Sequence, residues 1–219
     1  MERTSPAVEF LANAVVRVSD GLRQFGRRYL AVLFSPGDAL PAATSGTEWW
    51  FPLTVIVGYS LLQAVMLRIA WPAMARGIGL SAPLAAARIN VAMVFIGGVV
   101  FWFMLSIVTL LCVRVLGREP AGWLSATSCV AAAIVPLSAL TVAGWVVLYL
   151  SPALSLLVML FGLLAGFGYF VEAVRNQYNL SVEVSLYAIP LMVVVALLLT
   201  GLLVLAVEIL FRGRTATPV

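Results

Sequence analysis

Two apolar runs joined by a short polar hinge constrain the fold more than any other feature of this sequence. The run Val91–Leu116 carries a single charge, on Arg114, and the run Thr127–Leu150 carries none. Each run exceeds the roughly 20 residues that a helix needs to cross a hydrocarbon core of about 30 Å. The hinge, Gly117–Gly122, is so short that the two helices must run antiparallel. The sequence therefore predicts a polytopic membrane protein.

The composition predicts a single membrane domain without a separate soluble domain. Apolar residues make up 63% of the chain and charged residues 10%, against about 25% charged in soluble domains. We predict an all-α integral membrane protein, a bundle of five transmembrane helices preceded by an amphipathic interfacial N-terminal helix. The membrane domain covers residues 49–211, with spans at about 51–70, 91–116, 127–150, 153–174 and 184–211, and a short tail covers 212–219.

Residues 7–33 show helical periodicity but are too polar to cross a membrane. Their apolar side chains form a stripe about 100° wide: Leu11, Val15, Val18, Leu22, Phe25, Tyr29 and Val32. Such a helix is typical of one that lies in the headgroup plane or on the protein's own cytoplasmic face. Docking of the stripe to a partner protein is the alternative. Residues 34–48, which contain two Pro and two Gly, are predicted to be a linker that completes a cytoplasmic region over 1–48.

Small residues inside the spans predict where helices pack closely. Gly97 and Gly98 lie in the second span, and Gly162 and Gly166 lie four apart in the fourth. This spacing favours close approach of a neighbouring helix.

Pro136, near the middle of the third span, predicts a kink because it removes a backbone donor. Ser138 and Thr141 are near enough to satisfy the freed carbonyl. We interpret the kink as architectural, with a gate as the alternative.

The residues available for chemistry exclude several classes of site. All thirteen basic residues are Arg, and the chain has no His, which excludes haem or zinc held by His and any Ser/His or Cys/His couple. Cys112 and Cys129 fall in predicted spans, where free Cys behaves as a small apolar residue. We therefore expect no catalytic residue, no cofactor and no metal. The absence of a basic cluster argues against nucleic acid as a partner.

The charged side chains of the membrane domain stand near the ends of the spans: Arg68, Arg114, Glu172, Arg175 and Glu208. Transport pathways normally place ionisable groups inside spans, so we interpret these residues as interfacial anchors. Glu172 and Arg175 are three apart and are expected to pair on one helix face. A small solute transporter or channel stays the alternative function.

The distribution of Arg favours a cytoplasmic N-terminus. With that orientation the cytoplasmic segments hold five, two and one Arg, and the outer segments hold three, none and two. Cytoplasmic segments generally carry the excess of Arg. Five spans then place the C-terminus outside.

Three stretches resemble a known family when they are taken in this order. They are Trp49–Leu53 (WWFPL), the hinge with Gly117 and Trp123 followed by Ala131–Leu137 (AAAIVPL), and Tyr178–Ser181 (YNLS) leading to Ala188 and Pro190. The pattern resembles the bacterial branch of the Yip1-domain family over about Leu33–Leu210.

The resemblance implies a non-enzymatic protein of the bacterial cytoplasmic (inner) membrane that works through partners. An accessory subunit of an ABC-type exporter is the expected role, with membrane lipids and the exporter permease as partners and homo-oligomers left open. Residues at the cytoplasmic side are the expected partner or lipid contacts: Arg27, Arg28, Trp49, Trp50, Glu172 and Arg175.

The Arg distribution yields a test of topology. We expect single cysteines at positions 5 and 217, in a chain without Cys112 and Cys129, to react with a membrane-impermeant maleimide from opposite sides of the membrane. Intact cells and inverted vesicles are the two samples to compare. Labelling of both cysteines from one side would contradict the five-span topology.

Overall fold

A computed structural model gives the structure of the chain and describes residues 6–44, 49–77, 79, 89–116 and 122–215. Within these ranges the chain forms seven helices and no strand. The helices are α1 (Pro6–Phe34), α2 (Pro36–Thr44), α3 (Trp50–Gly77), α4 (Val91–Val115), α5 (Trp123–Leu148), α6 (Pro152–Tyr178) and α7 (Val182–Thr215).

The five helices from α3 to α7 are long and apolar enough to cross a membrane. This confirms the predicted five-span, all-α architecture, and an N-terminal helix precedes the spans as expected. The span boundaries differ from the prediction by a few residues, most at α3, which continues through Pro72 to Gly77. Residues 117–121 of the hinge, residues 80–88 and the side chain of Glu208 lie outside the described residues.

Helix α5 is the centre of the bundle. Of its most apolar stretch 67% is buried inside the protein, against 17–33% for the other four spans. It contacts α1, α2, α3, α4 and α6. The first half of α5 is rich in Ala and Ser, and every side chain from Ser125 to Ser138 is buried. Small side chains therefore let five helices approach the same helix.

Glycines produce the closest helix contact, between α5 and α6. A Cβ atom on Gly166 would lie 2.9 Å from the carbonyl oxygen of Ala133, and one on Gly162 would lie 3.0 Å from Leu140 Cβ. The Ser155 hydroxyl donates a hydrogen bond to the Gly144 carbonyl at 2.8 Å. The predicted close approach at Gly162 and Gly166 is thus made within the bundle.

The glycine pair of α4 behaves differently at its two positions. A Cβ on Gly98 would lie 3.1 Å from Ser60 Oγ of α3, whereas a Cβ on Gly97 would meet nothing within 4 Å. Only Gly98 is therefore needed for internal helix contact, and Gly97 borders open space.

Capped helix ends keep the connections of α6 short. Ser151 caps the N-terminus by accepting a hydrogen bond from the Leu154 amide at 3.3 Å, with Pro152 in the first turn. At the C-terminus Asn179 adopts a left-handed conformation (φ 49°), and its amide donates to the Arg175 carbonyl. Asn tolerates this conformation better than most residues, so α6 and α7 are joined by a tight turn.

The contact between α5 and α6 yields a prediction of stability. Gly166→Ala should destabilise the protein by about 1–3 kcal/mol, because the new Cβ would meet backbone rather than a mobile side chain. Gly168→Ala is the matched control, since its Cβ would meet nothing within 4 Å. Unfolding in mixed micelles titrated with SDS measures both changes. Equal effects of the two substitutions would contradict the packing argument.

Candidate interaction site at the N-terminal hairpin

Helices α1 and α2 form a helical hairpin, which corrects the prediction that residues 34–48 are a linker throughout. Ser35 alone separates the two helices. Pro36 occupies the first position of α2, where a missing amide hydrogen costs nothing. Leu40 is only 2% exposed and belongs to the core of the bundle. Burial of Leu40 and the packing of α2 on α5 and α6 stabilise a helix that the Pro- and Gly-rich composition did not indicate.

The Tyr29 hydroxyl anchors α1 to the middle of α5. It donates to the Val135 carbonyl at 3.0 Å and lies 2.7 Å from the Ser138 hydroxyl. These contacts join the C-terminal part of α1 to α5.

Tyr169 supplies a hydrogen bond to a backbone carbonyl at the C-terminal end of α1, where the hairpin turns. Its hydroxyl donates to the Leu33 carbonyl at 3.0 Å. The last four carbonyls of a helix lack amide partners within the helix, and an unsatisfied carbonyl in a hydrocarbon environment costs several kcal/mol. Tyr169 lies close to the middle of α6, so the turn of the hairpin stands at the level of the span centres and has its polar backbone covered by protein.

The end of α2 returns to the ends of the spans. The Ser125 hydroxyl donates to the Thr44 carbonyl at 3.4 Å, and the Tyr178 hydroxyl donates to Ser125 at 3.3 Å. Ser125 stands near the start of α5 and Tyr178 is the last residue of α6. The hairpin thus enters beside α5 and α6 to their middle and comes back to the side from which it started.

An aromatic cluster holds α1 against the start of α3. The Phe25 ring lies 5.7 Å from the Phe51 ring and 6.5 Å from the Trp50 ring, between centroids. The Arg28 guanidinium lies 5.7 Å from the Trp50 ring centroid, within the range of a cation–π contact. Arg28 and Trp50, two of the expected partner contacts, therefore also join helices within this chain.

The remaining expected contacts lie at the protein surface. Arg27 is exposed and Trp49 is 65% exposed. Glu172 and Arg175 form the ion pair that their spacing predicts, with 3.6 Å between Oε2 and Nη1. Both side chains keep about 40% of their surface exposed, so a partner could still contact them.

The apolar stripe of α1 is covered over only part of its length. Val32 is 1% exposed, and Phe25 and Tyr29 pack against the core. Val15, Val18 and Leu22 continue the same stripe but are 66%, 62% and 66% exposed. The side chain of Leu11 lies outside the described residues. Half of the stripe therefore docks to the bundle and the other half is uncovered.

Pro136 lies inside α5 without interrupting it, since the helix continues from Trp123 to Leu148. Ser138 and Thr141, expected to satisfy the carbonyl that Pro136 frees, bond elsewhere. Ser138 donates to the Val135 carbonyl at 2.9 Å, and the Thr141 hydroxyl lies 3.3 Å from the Tyr59 hydroxyl. Their hydroxyls connect α5 to α1 and α3.

Sequence reasoning missed the hydroxyl groups that hold the hairpin. Tyr29 was recognised only as a member of the apolar stripe, and Tyr169 carried no signal because its partner is a backbone carbonyl 136 positions away. In the part of the chain that the structure describes, no three His, Cys, Asp or Glu side chains are grouped so as to hold a metal ion.

Comparison of the chain with protein-family models, with curated proteins and with solved structures finds no match.

The hydrogen bond from Tyr169 yields a test of the hairpin. Tyr169→Phe should loosen the turn by about 1–3 kcal/mol, because it leaves the Leu33 carbonyl unsatisfied. Limited trypsin digestion in nanodiscs should then cut faster at Arg27 and Arg28. Tyr187→Phe removes a hydroxyl from a side chain that is 76% exposed and serves as the control. Equal cleavage of both variants and the wild type would contradict this anchoring.

Proposed function

We propose that the protein is a non-enzymatic interaction subunit of a membrane complex and that the uncovered half of the α1 stripe binds the partner. The observation that carries this proposal is the division of one continuous stripe into a docked half and an exposed half. Val15, Val18 and Leu22 follow the spacing of three and four residues by which an amphipathic helix lies in an apolar groove.

The energy available from this surface is sufficient for a specific contact. Full burial of one Val or Leu side chain contributes about 1.5–3 kcal/mol. Three such side chains together give several kcal/mol before the cost of association is subtracted. The opposite side of the helix presents Arg17, Asp20 and Arg23, all exposed. These charged side chains thus stand away from the exposed stripe.

The partner that this proposal favours is an integral membrane protein, the permease of an ABC-type exporter, as the Yip1-domain resemblance implies. The proposed location is the bacterial cytoplasmic membrane with the N-terminus inside. Polar contacts would come from Arg27 and from the Glu172–Arg175 pair, at the end of the bundle where α2 ends. Each exposed ion pair adds only about 0–1 kcal/mol, so the stripe supplies most of the affinity.

The placement of hydroxyl groups supports a role without catalysis. Ser106, Thr109 and Ser128 each donate to the carbonyl four residues earlier in their own helix, at 2.7–2.9 Å. A hydroxyl engaged in this way is not activated by a base. We therefore infer that these hydroxyls bond their own helix backbone and take no part in a reaction.

The stripe can be tested with two carboxylates placed two residues apart. Leu22→Glu should reduce recovery of the partner at least tenfold, because the charge falls within the apolar stripe. Gln24→Glu adds the same charge on the polar side and should leave recovery unchanged. Affinity purification in mild detergent with quantitative mass spectrometry measures recovery, and the expected product is a stoichiometric integral membrane protein.

A labelling experiment separates a partner from the lipid surface. Cysteine at position 18 should react with maleimide in liposomes that hold this protein alone and be protected in native membranes. Protection in the liposomes would show that lipid covers the stripe and would overturn the proposal. Recovery of the protein alone or only as a homo-oligomer, together with solute flux in liposomes, would favour the transporter alternative.

A further inference from the structure

A cavity of about 380 Å³ lies within the bundle, apart from the N-terminal hairpin. All five spans contribute to its wall near the middle of their length: Gln63 of α3, Trp102 of α4, Leu137 of α5, Gly166 of α6 and Val193 of α7. Its size is within the range of about 300–1,000 Å³ found for small-molecule sites. The cavity is thus placed at the centre of the membrane domain.

The cavity opens sideways between α6 and α7. The lining side chains Leu163, Phe167 and Leu197 are 58%, 40% and 54% exposed. Helix α6 packs mainly on α5 and α7 mainly on α4, so the two helices touch little beyond their connecting turn. Leu163, Phe167 and Leu197 stand at the level of the span centres. A molecule therefore enters this gap from the hydrocarbon region rather than from water.

The wall combines aromatic rings with polar side chains, one of which is an amide without a hydrogen-bond partner. Five aromatic side chains line the cavity: Tyr59, Phe101, Trp102, Phe167 and Phe170. Gln63 also lines it, and among the described residues its amide forms no hydrogen bond. Three residues earlier on the same face of α3, the buried Ser60 hydroxyl also lacks a partner. Unsatisfied polar groups are costly in an apolar environment and call for a partner.

We propose that this cavity binds a neutral, membrane-soluble ring compound that carries a carbonyl group, a molecule of the quinone class. The ring packs among the aromatic side chains, and its carbonyl oxygen accepts a hydrogen bond from the Gln63 amide. The lining side chains carry no formal charge, which matches a neutral ligand. The cavity serves as a binding site, and no reaction is assigned to it.

The position of Gln63 argues against a phospholipid as the occupant. Gln63 is thirteen residues after Trp50 in α3, about 20 Å along the helix axis. The polar groups of phospholipids stay at the surfaces of a hydrocarbon core about 30 Å thick, which leaves roughly 10 Å between Gln63 and the nearer surface. That distance is beyond the reach of a hydrogen bond of about 3 Å from an ester carbonyl. An acyl chain alone would leave the amide unsatisfied.

The volume of the cavity argues against a helix from another protein. One turn of helix, about 10 Å wide and 5.4 Å long, occupies roughly 400 Å³. The whole cavity is no larger than one such turn, so a transmembrane segment does not fit inside it. A small ring compound does.

The test uses the full-length protein in nanodiscs of phosphatidylcholine, with decylubiquinone as the probe and native mass spectrometry as the readout. We expect one decylubiquinone per chain. Gln63→Leu should weaken binding about fivefold to tenfold, as expected for loss of one hydrogen bond. A probe with the same alkyl chain but no ring, decane, should be retained equally poorly by the wild type and by Gln63→Leu.

Two matched pairs locate the site. Leu163→Trp and Leu197→Trp place a large ring at the mouth of the cavity and should abolish binding. Leu164→Trp and Leu198→Trp change neighbouring side chains that are 59% and 62% exposed but do not line the cavity, and they should bind like the wild type. All four positions face outward in part, so the variants should fold, and SDS unfolding checks that they do.

Three outcomes would overturn the proposal. They are the absence of bound decylubiquinone in the wild type, binding that Gln63→Leu leaves unchanged, and retention of phosphatidylcholine or decane at the site in place of the quinone. The last outcome would identify the cavity as an acyl-chain groove. A fourth outcome, equal loss of binding in both members of a matched pair with folding intact, would also overturn it, because the site would then lie outside this cavity.

Discussion

The close contact between α5 and α6 is the interaction on which the remaining structure depends. Lipid tails are as apolar as the helices, so a bilayer supplies little hydrophobic force to hold spans together, and association relies on close packing and a few polar contacts. Gly162 and Gly166 allow the backbones to approach until a Cβ would touch a carbonyl oxygen. The pair then offers a surface of small side chains against which α1, α2, α3 and α4 pack.

Tyrosine hydroxyls add specificity to this surface. Tyr29, Tyr59, Tyr169 and Tyr178 each bond a group on another helix. Two of these bonds, from Tyr29 and Tyr169, hold the hairpin, whose turn would otherwise place helix ends without partners among the span centres. A net contribution of about 0.5–1.5 kcal/mol per hydrogen bond is modest, but the cost of leaving such a group unpaired is larger. The hydroxyls therefore select one position for the hairpin out of many that the apolar stripe alone would allow.

The features that depend on local composition and spacing could be predicted from the sequence. Run lengths predicted five spans, and the three-residue separation predicted the pairing of Glu172 with Arg175. The hairpin could not be predicted, because an apolar stripe that ends at Val32 has the same sequence pattern whether the helix lies on lipid headgroups or packs on another helix. Spacing alone also could not distinguish Gly98, which Ser60 contacts, from Gly97, which borders open space. The cavity escaped prediction because it depends on the divergence of α6 from α7, a property of tertiary packing rather than of either helix.

The continuity of α1 has a structural consequence. The helix is 29 residues long, about 44 Å, and its two halves are parts of one rod: one outside the bundle at Val15 and Val18, the other against Val135. Val135 directly precedes Pro136, the position at which α5 lacks one backbone hydrogen bond. The docked half of α1 therefore contacts the most buried helix beside the position where its backbone lacks a hydrogen bond. One helix thus joins the exposed apolar surface at Val15 and Val18 to the middle of the bundle.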